Sequence, residues 1–210
     1  MYKGIGNDFR CLSQYTIMRR WEKKYKIRSA LEAPYDHATN GIDGKVFSCP
    51  HTASRLLDGY QPKSFDFVWN FGFVQREPQL IHRMKEVSCR LVAAFVPNTY
   101  NVGISLFHPI YHWLYKIPCT HPERGNPSLM NLRGLSWLFK REGLVILEEG
   151  YLDCPPWPDT IITLSELFTG STERRYIKIP FPVEKIFAFE QIAFPRRFFA
   201  HHVYVLGKNR

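Results

Sequence analysis

The run Arg-Leu-Val-Ala-Ala-Phe-Val at residues 90–96 constrains this 210-residue chain more than any other feature. It has no polar alternation, so it reads as a strand covered on both faces, and such a strand needs packing layers above and below its sheet. The apolar stretch from Leu91 to Pro97 is the longest in the chain and far too short to span a bilayer. Phe65–Phe71, FDFVWNF, is a second strand, aromatic and β-branched enough to sit in the sheet centre. Between the two, Pro78 opens a helix with Leu80, Ile81, Met84 and Val87 on one face.

The rest of the chain supplies matching pieces. Phe9, Leu12, Tyr15, Met18, Trp21 and Tyr25 recur at three- and four-residue steps, predicting an amphipathic helix whose Arg19-Arg20 and Glu22-Lys23-Lys24 form a solvated face. Ile27–Ala33 is a short strand, the turn formers from Pro34 to Gly44 make a loop, and Lys45–Cys49 is a further strand. Leu132, Leu135 and Leu138/Phe139 mark another helix, stopped by Gly143. Leu144–Leu152 and His201–Leu206 are strands with no clear helix between them, which predicts an antiparallel edge pair. Alternation of strand and helix predicts an α/β fold: a doubly wound, mostly parallel, Rossmann-like sheet closed by that terminal pair. One domain over 1–210 is expected, with an N-terminal helix in 1–26, a lid or insertion at 97–130 and an irregular segment at 153–200.

Charge and cysteine content narrow the function classes. The excess of 28 Lys and Arg over 19 Asp and Glu, a net +9, bears on partners and not on fold. Cys11, Cys49, Cys89, Cys119 and Cys154 include no C-x-x-C pair, the usage of a reduced, cytoplasmic chain without a disulfide framework. The opening MYKGIGNDFRCLSQ has no apolar core of a secretory signal. In the tail, Arg174-Arg175, Lys178, Lys185 and Arg196-Arg197 alternate with aromatics. That pattern suits single-stranded RNA or an anionic membrane, but strands with inward rings and outward cations are the preferred account.

The order of these pieces resembles the class I S-adenosylmethionine-dependent methyltransferases, from about Ile27 to Leu206. The string Ser64–Phe71 is similar to that family's fourth, central strand, Arg90–Asn98 to its fifth, and Gly143–Asp153 with His201–Leu206 to its terminal antiparallel pair. The resemblance implies S-adenosylmethionine as methyl donor and a small-molecule acceptor. It implies donor contacts at Glu32, Ala33, Pro34, Asp36 and Gly41, at an adenine-flanking His51-Thr52, and at Asn70, Phe71 and Gly72 on the pocket floor. Two departures from the family pattern stand out. Pro34, Asp36 and Ala38 replace the glycines of the donor loop, and only about a dozen residues separate Glu32 from Lys45, too few for a strand–helix–strand crossover. With Lys45–Cys49 read as the family's third strand, the second is missing: the first strand then lies beside Lys45–Cys49, or the ribose side of the pocket is incomplete.

In methyl transfer the reactivity lies in the donor, so the protein supplies orientation and desolvation and no one side chain is obligatory. The lid residues Asn98, Tyr100, Asn101, His108, Tyr111, His112 and His121 would hold a partly apolar or planar acceptor, and His108, His112 or His121 could serve as general base. His108, His112, Cys119 and His121 imitate metal-ligand spacing, but Pro109 and Pro118 interrupt the segment and no carboxylate completes a zinc signature. No G-x-S-x-G and no phosphate-loop string occurs. A non-catalytic, methyltransferase-like binding domain is the alternative suggested by the altered loop, and an RNA-binding protein is the third reading.

Overall fold

The computed structural model describes residues 16–32, 48–54, 57–101, 130–152 and 196–210. In chain order these form helix α1 over 16–25, strands β1 (Ala30–Glu32), β2 (His51–Ala53) and β3 (Phe65–Phe71), and helix α2 (Leu80–Val87). Strand β4 (Ser88–Pro97), helix α3 (Leu132–Arg141), strand β5 (Val145–Leu152), the short helix α4 (Arg196–Phe199) and strand β6 (His202–Lys208) follow.

The six strands order as β2-β1-β3-β4-β6-β5. The first four run parallel, and β6 runs antiparallel between β4 and β5. The α/β sheet with a terminal antiparallel pair is the expected one. Alternate side chains go to opposite faces, as the period-2 geometry of a strand requires. Leu31, Val68, Val92, Ala94, Val96, Val203 and Val205 pack with α2 and α3, an aliphatic layer. Ala30, Phe67, Trp69, Leu91, Ala93, Phe95 and Leu206 pack with Met18 and Trp21 of α1. On this second face Trp21 stands 6.2, 5.8 and 5.7 Å from the rings of Phe67, Phe95 and Tyr204.

Local chemistry fixes the helix ends. The Asn131 side chain caps α3 by accepting from Gly134 N at 2.8 Å. At the other end Gly143, with φ +76°, sits in the left-handed region. Leu144 N donates to Phe139 O and Gly143 N to Lys140 O, the six-to-one and five-to-two bonds of a Schellman cap.

The strand beside β1 departs from expectation. It is His51–Ala53, and Ser48 and Cys49 lie outside it. The Ser48 and Cys49 N–H groups donate to Glu22 Oε1 of α1 at 2.7 and 2.9 Å, so they are withdrawn from the ladder, and pairing resumes only where Pro50 O accepts from Ala30 N. The expected strand at Lys45–Cys49 is therefore displaced toward the C-terminus; residues 45–47 lie outside the described residues. This shift also resolves the spacing problem. The connection from Glu32 to His51 spans residues 33–50, long enough for the crossover that parallel pairing demands. The sheet closes up with β2 directly against β1, and His51-Thr52 lies within an edge strand instead of in a loop after one. Among the described residues no helix is long and apolar enough to cross a membrane.

Candidate functional site

Strand order reverses on the two sides of β1. From β1 the chain passes to β2 on one side, then to β3 and β4 on the other. In open α/β sheets ligands bind at such a switch, outside the carboxyl ends of the strands. Glu32 ends β1 and Asn70-Phe71 ends β3, and Glu32 is in register with Trp69, one residue before Asn70.

Glu32 is buried, 4% exposed, and its backbone carbonyl accepts from Ser54 N at 2.9 Å, tying in the end of β2. Its carboxylate has no hydrogen bond or ion pair within the described residues, and burial pushes it up to about 7. Removing a carboxylate from water disfavours its charged form, and no partner offsets that here.

The end of β3 is built by Asn70, which is fully buried. Its Oδ1 accepts from Phe73 N at 3.0 Å and Val74 N at 3.2 Å, folding the chain back over the strand end. Gly72 takes φ +80° at this bend, where a side chain would be strained. Its N–H donates to Phe95 O at 2.8 Å, and its carbonyl accepts from Gln75 Nε2 at 2.7 Å. No described atom lies within 4 Å of where a Cβ on Gly72 would point. Gln75 Oε1 is buried without a hydrogen-bond partner beside this turn. Sequence reasoning missed Gln75; nothing in the string Gly72–Gln75 marks it.

The end of β4 has a different role from the one expected. Asn98 Nδ2 donates to Arg197 O and Ala200 O at 2.8 and 2.9 Å, and Asn101 Nδ2 to Phe199 O at 3.0 Å. These amides therefore hold α4 in place, and Asn98 and Asn101 act as struts, not as acceptor contacts. Tyr100 accepts from Asn131 Nδ2 at 3.3 Å and stacks under Arg197, whose guanidinium carbon lies 4.2 Å from the ring centroid. Phe71 reaches across to His202, with centroids 4.9 Å apart.

The structure thus brings Glu32, Asn70, Phe71 and Gly72 to one end of two adjacent strands, while Thr52 is exposed on the edge strand. Ala33, Pro34, Asp36 and Gly41 of the donor loop lie outside the described residues, as do His108, His112 and His121. Cys49 and Cys89 are free, and burial with Glu22 nearby pushes the Cys49 thiol up to about 11, the opposite of an activated nucleophile.

No protein-family model and no curated protein matches the sequence. Solved structures do resemble it. Magnesium protoporphyrin IX methyltransferase from Synechocystis PCC 6803, solved with bound SAH, superposes with a TM-score of 0.51 at 8% identity, covering 97% of this chain and 86% of that one. A possible exported protein from Bordetella parapertussis gives a TM-score of 0.51 at 9% identity, over 99% of this chain and 71% of the other. At such identity the likeness concerns architecture alone. The chain has the α/β fold of the class I S-adenosylmethionine-dependent methyltransferases.

Proposed function

We propose that the chain is an S-adenosylmethionine-dependent methyltransferase that holds its donor at the carboxyl ends of β1 and β3. One observation carries the reading. At the switch point a buried carboxylate without a described partner, Glu32, ends β1, and a left-handed glycine, Gly72, follows the adjacent β3 with no described atom within 4 Å of where its Cβ would point. The buried carboxylate costs stability unless a cation reaches it, and the bare glycine lets a ligand approach the backbone closely. A cationic amino acid portion would neutralise Glu32, and an adenosyl group can approach the bare Gly72 backbone. The resident residues therefore fit the donor.

When bound, the donor supplies an electrophilic methyl on a sulfonium. That methyl would pass to a lone pair of the acceptor, the bonding pair of the broken carbon–sulfur bond staying on sulfur as S-adenosylhomocysteine. The chain's own residues orient and exclude water. Glu32 holds the ammonium end, Asn70 fixes the turn, and Phe71 walls the pocket toward His202. The proton released by an O- or N-nucleophile goes to a base from the 97–130 segment, with His108, His112 and His121 as the candidates. The acceptor is a small molecule with a planar or apolar part, taken up by one domain spanning 1–210 in a reducing, cytoplasmic setting.

Isothermal titration with S-adenosylmethionine and S-adenosylhomocysteine tests this directly. Saturable heat with both, lost in Gly72→Val, is expected. Absence of heat at millimolar ligand with the protein folded would overturn the proposal and leave the fold as a non-catalytic binding domain.

A further inference from the structure

The outward face of α3 is cationic along its whole length. The helix reads LRGLSWLFKR and contains no acidic residue. Its apolar stripe, Leu135, Leu138 and Phe139, is buried in the core, which turns Arg133, Trp137, Lys140 and Arg141 to solvent. Arg133, Trp137 and Arg141 follow at four-residue steps, so they form one row on the helix surface. Trp137 is 57% exposed, the most exposed large apolar side chain among the described residues. The Arg141 guanidinium lies 5.0 Å from its ring centroid and steadies the indole. At the C-terminal end of α3 the row meets the rim of the sheet, where Val145 pairs with the exposed Lys208.

The acids that face this row are already engaged. Glu142 bonds to Arg141 at 3.3 Å and to His82 at 3.1 Å with its side chain largely buried, and Glu149 is held by Ser136 Oγ of α3 at 2.5 Å. Flexible cations flanking one exposed aromatic ring match the two needs of an unpaired nucleic acid strand, phosphate neutralisation and base stacking. A lipid surface suits the face less well. Among the described residues Trp137 of α3 and Val145 at the start of β5 are the exposed large apolar side chains here, whereas a helix lying in a membrane interface needs a whole apolar face to bury.

We propose that this face of α3 binds single-stranded nucleic acid, with a base stacked on Trp137 and phosphates held by Arg133 and Lys140, while Arg141 stays on Glu142 beside the indole. The site is separate from the methyl-donor corner and is independent of that reading, since binding is measured without donor. The test is fluorescence anisotropy of a labelled poly-U oligonucleotide of about a dozen nucleotides with the full chain. Trp137→Ala should weaken binding about tenfold while Trp137→Phe largely preserves it. Arg133→Gln with Lys140→Gln should lower the slope of log affinity against log salt by about 1.4, or about 0.7 per cation removed. All these side chains are exposed, so unfolding temperatures should match the parent chain. Binding by Trp137→Ala and by the variant lacking Arg133 and Lys140 equal to that of the parent chain would overturn the proposal. So would binding to phosphatidylserine–phosphatidylcholine vesicles with no binding to the oligonucleotide.

Discussion

Two glutamates on the same, aromatic face of the sheet meet opposite fates. Glu32, at the end of β1, is buried with no described partner and held up near 7. Glu148, on β5, receives Arg20 at 2.6 Å, Trp21 Nε1 at 3.0 Å, Lys24 at 2.8 Å and the Tyr25 hydroxyl at 2.8 Å, four groups from α1 alone. Burial opposes its charge too, but the hydrogen bonds from Lys24, Trp21 and Tyr25 and the Arg20 guanidinium outweigh it, and the carboxyl falls to about 2. A satisfied carboxylate fastens a helix to a sheet; the one with no described partner is where the proposed function seats the donor's ammonium. The fastener depends on a backbone irregularity. A bulge between Ile146 and Glu148 shifts the register against β6, and an extra residue reverses which side chains face which layer. Without it Glu148 would join Ile146 on the α2–α3 side.

The sharpest way to break this contrast is to remove Glu148. In Glu148→Ala the buried indole N–H and the Tyr25 hydroxyl lose their acceptor and two cations lose their counter-charge, at a cost of about 3 kcal/mol in urea unfolding at pH 7. A loss below about 1 kcal/mol would mean that the clamp is decorative. Because its folded pKa is depressed, Glu148 contributes stability that is present above pH 4.5 and lost as pH falls toward 2.

Glu32 should behave with the opposite sign. Its raised folded pKa means that the folded chain keeps a proton which the unfolded chain releases between pH 4.5 and about 7. The contribution of Glu32 is therefore most favourable below pH 4.5 and declines by up to about 3 kcal/mol as pH rises through 7. Glu32→Gln should abolish that decline and raise stability at pH 8 by about 2 kcal/mol, the buried amide keeping part of the cost. The same substitution should weaken donor binding. Titrations of the parent chain in buffers of different ionisation heat should show proton release on binding near pH 6.5, since a bound ammonium favours ionised Glu32. Stability unchanged by Glu32→Gln at any pH would end the contrast.

How much of this was legible in the sequence follows from which interactions are local. The run Leu91–Val96, the helix stripe Leu80, Ile81, Met84 and Val87, and the Gly143 stop all fall where their patterns place them, because period and capping are properties of neighbouring residues. The edge strand beside β1 was misplaced because its start is set by Glu22, over twenty residues earlier, taking the Ser48 and Cys49 N–H groups. The Glu148 clamp was invisible for the same reason, since a bulge leaves no mark in VILEEGYL. At the site, Glu32, Asn70 and Gly72 were chosen by likeness to a family pattern, whereas the struts Asn98 and Asn101 read as ligand contacts because their partners, the carbonyls of α4, lie about a hundred residues away.

Two backbone substitutions sharpen the contrast at smaller scale. Gly72→Ala meets no described atom, so its stability cost is the left-handed backbone alone, about 1 kcal/mol. Its effect on donor titration should be larger than that, because the new methyl enters the open corner. Lys26 ends α1 with φ +51°, and the Ile27 N–H reaches back to Glu22 O at 3.1 Å, the six-to-one bond of a left-handed cap normally given to glycine. Arg90 donates to the Tyr25 carbonyl at 2.9 Å, so the helix end remains held whichever residue sits at 26. Lys26→Gly relieves a β-carbon strain at the fastened end of the molecule and should raise stability by roughly 0.5 kcal/mol, part of the gain being lost to the freer unfolded chain. Donor titration should not change. A donor affinity that moved with Lys26→Gly would mean that α1 and the switch-point corner are coupled, and the division between fastener and site would fall.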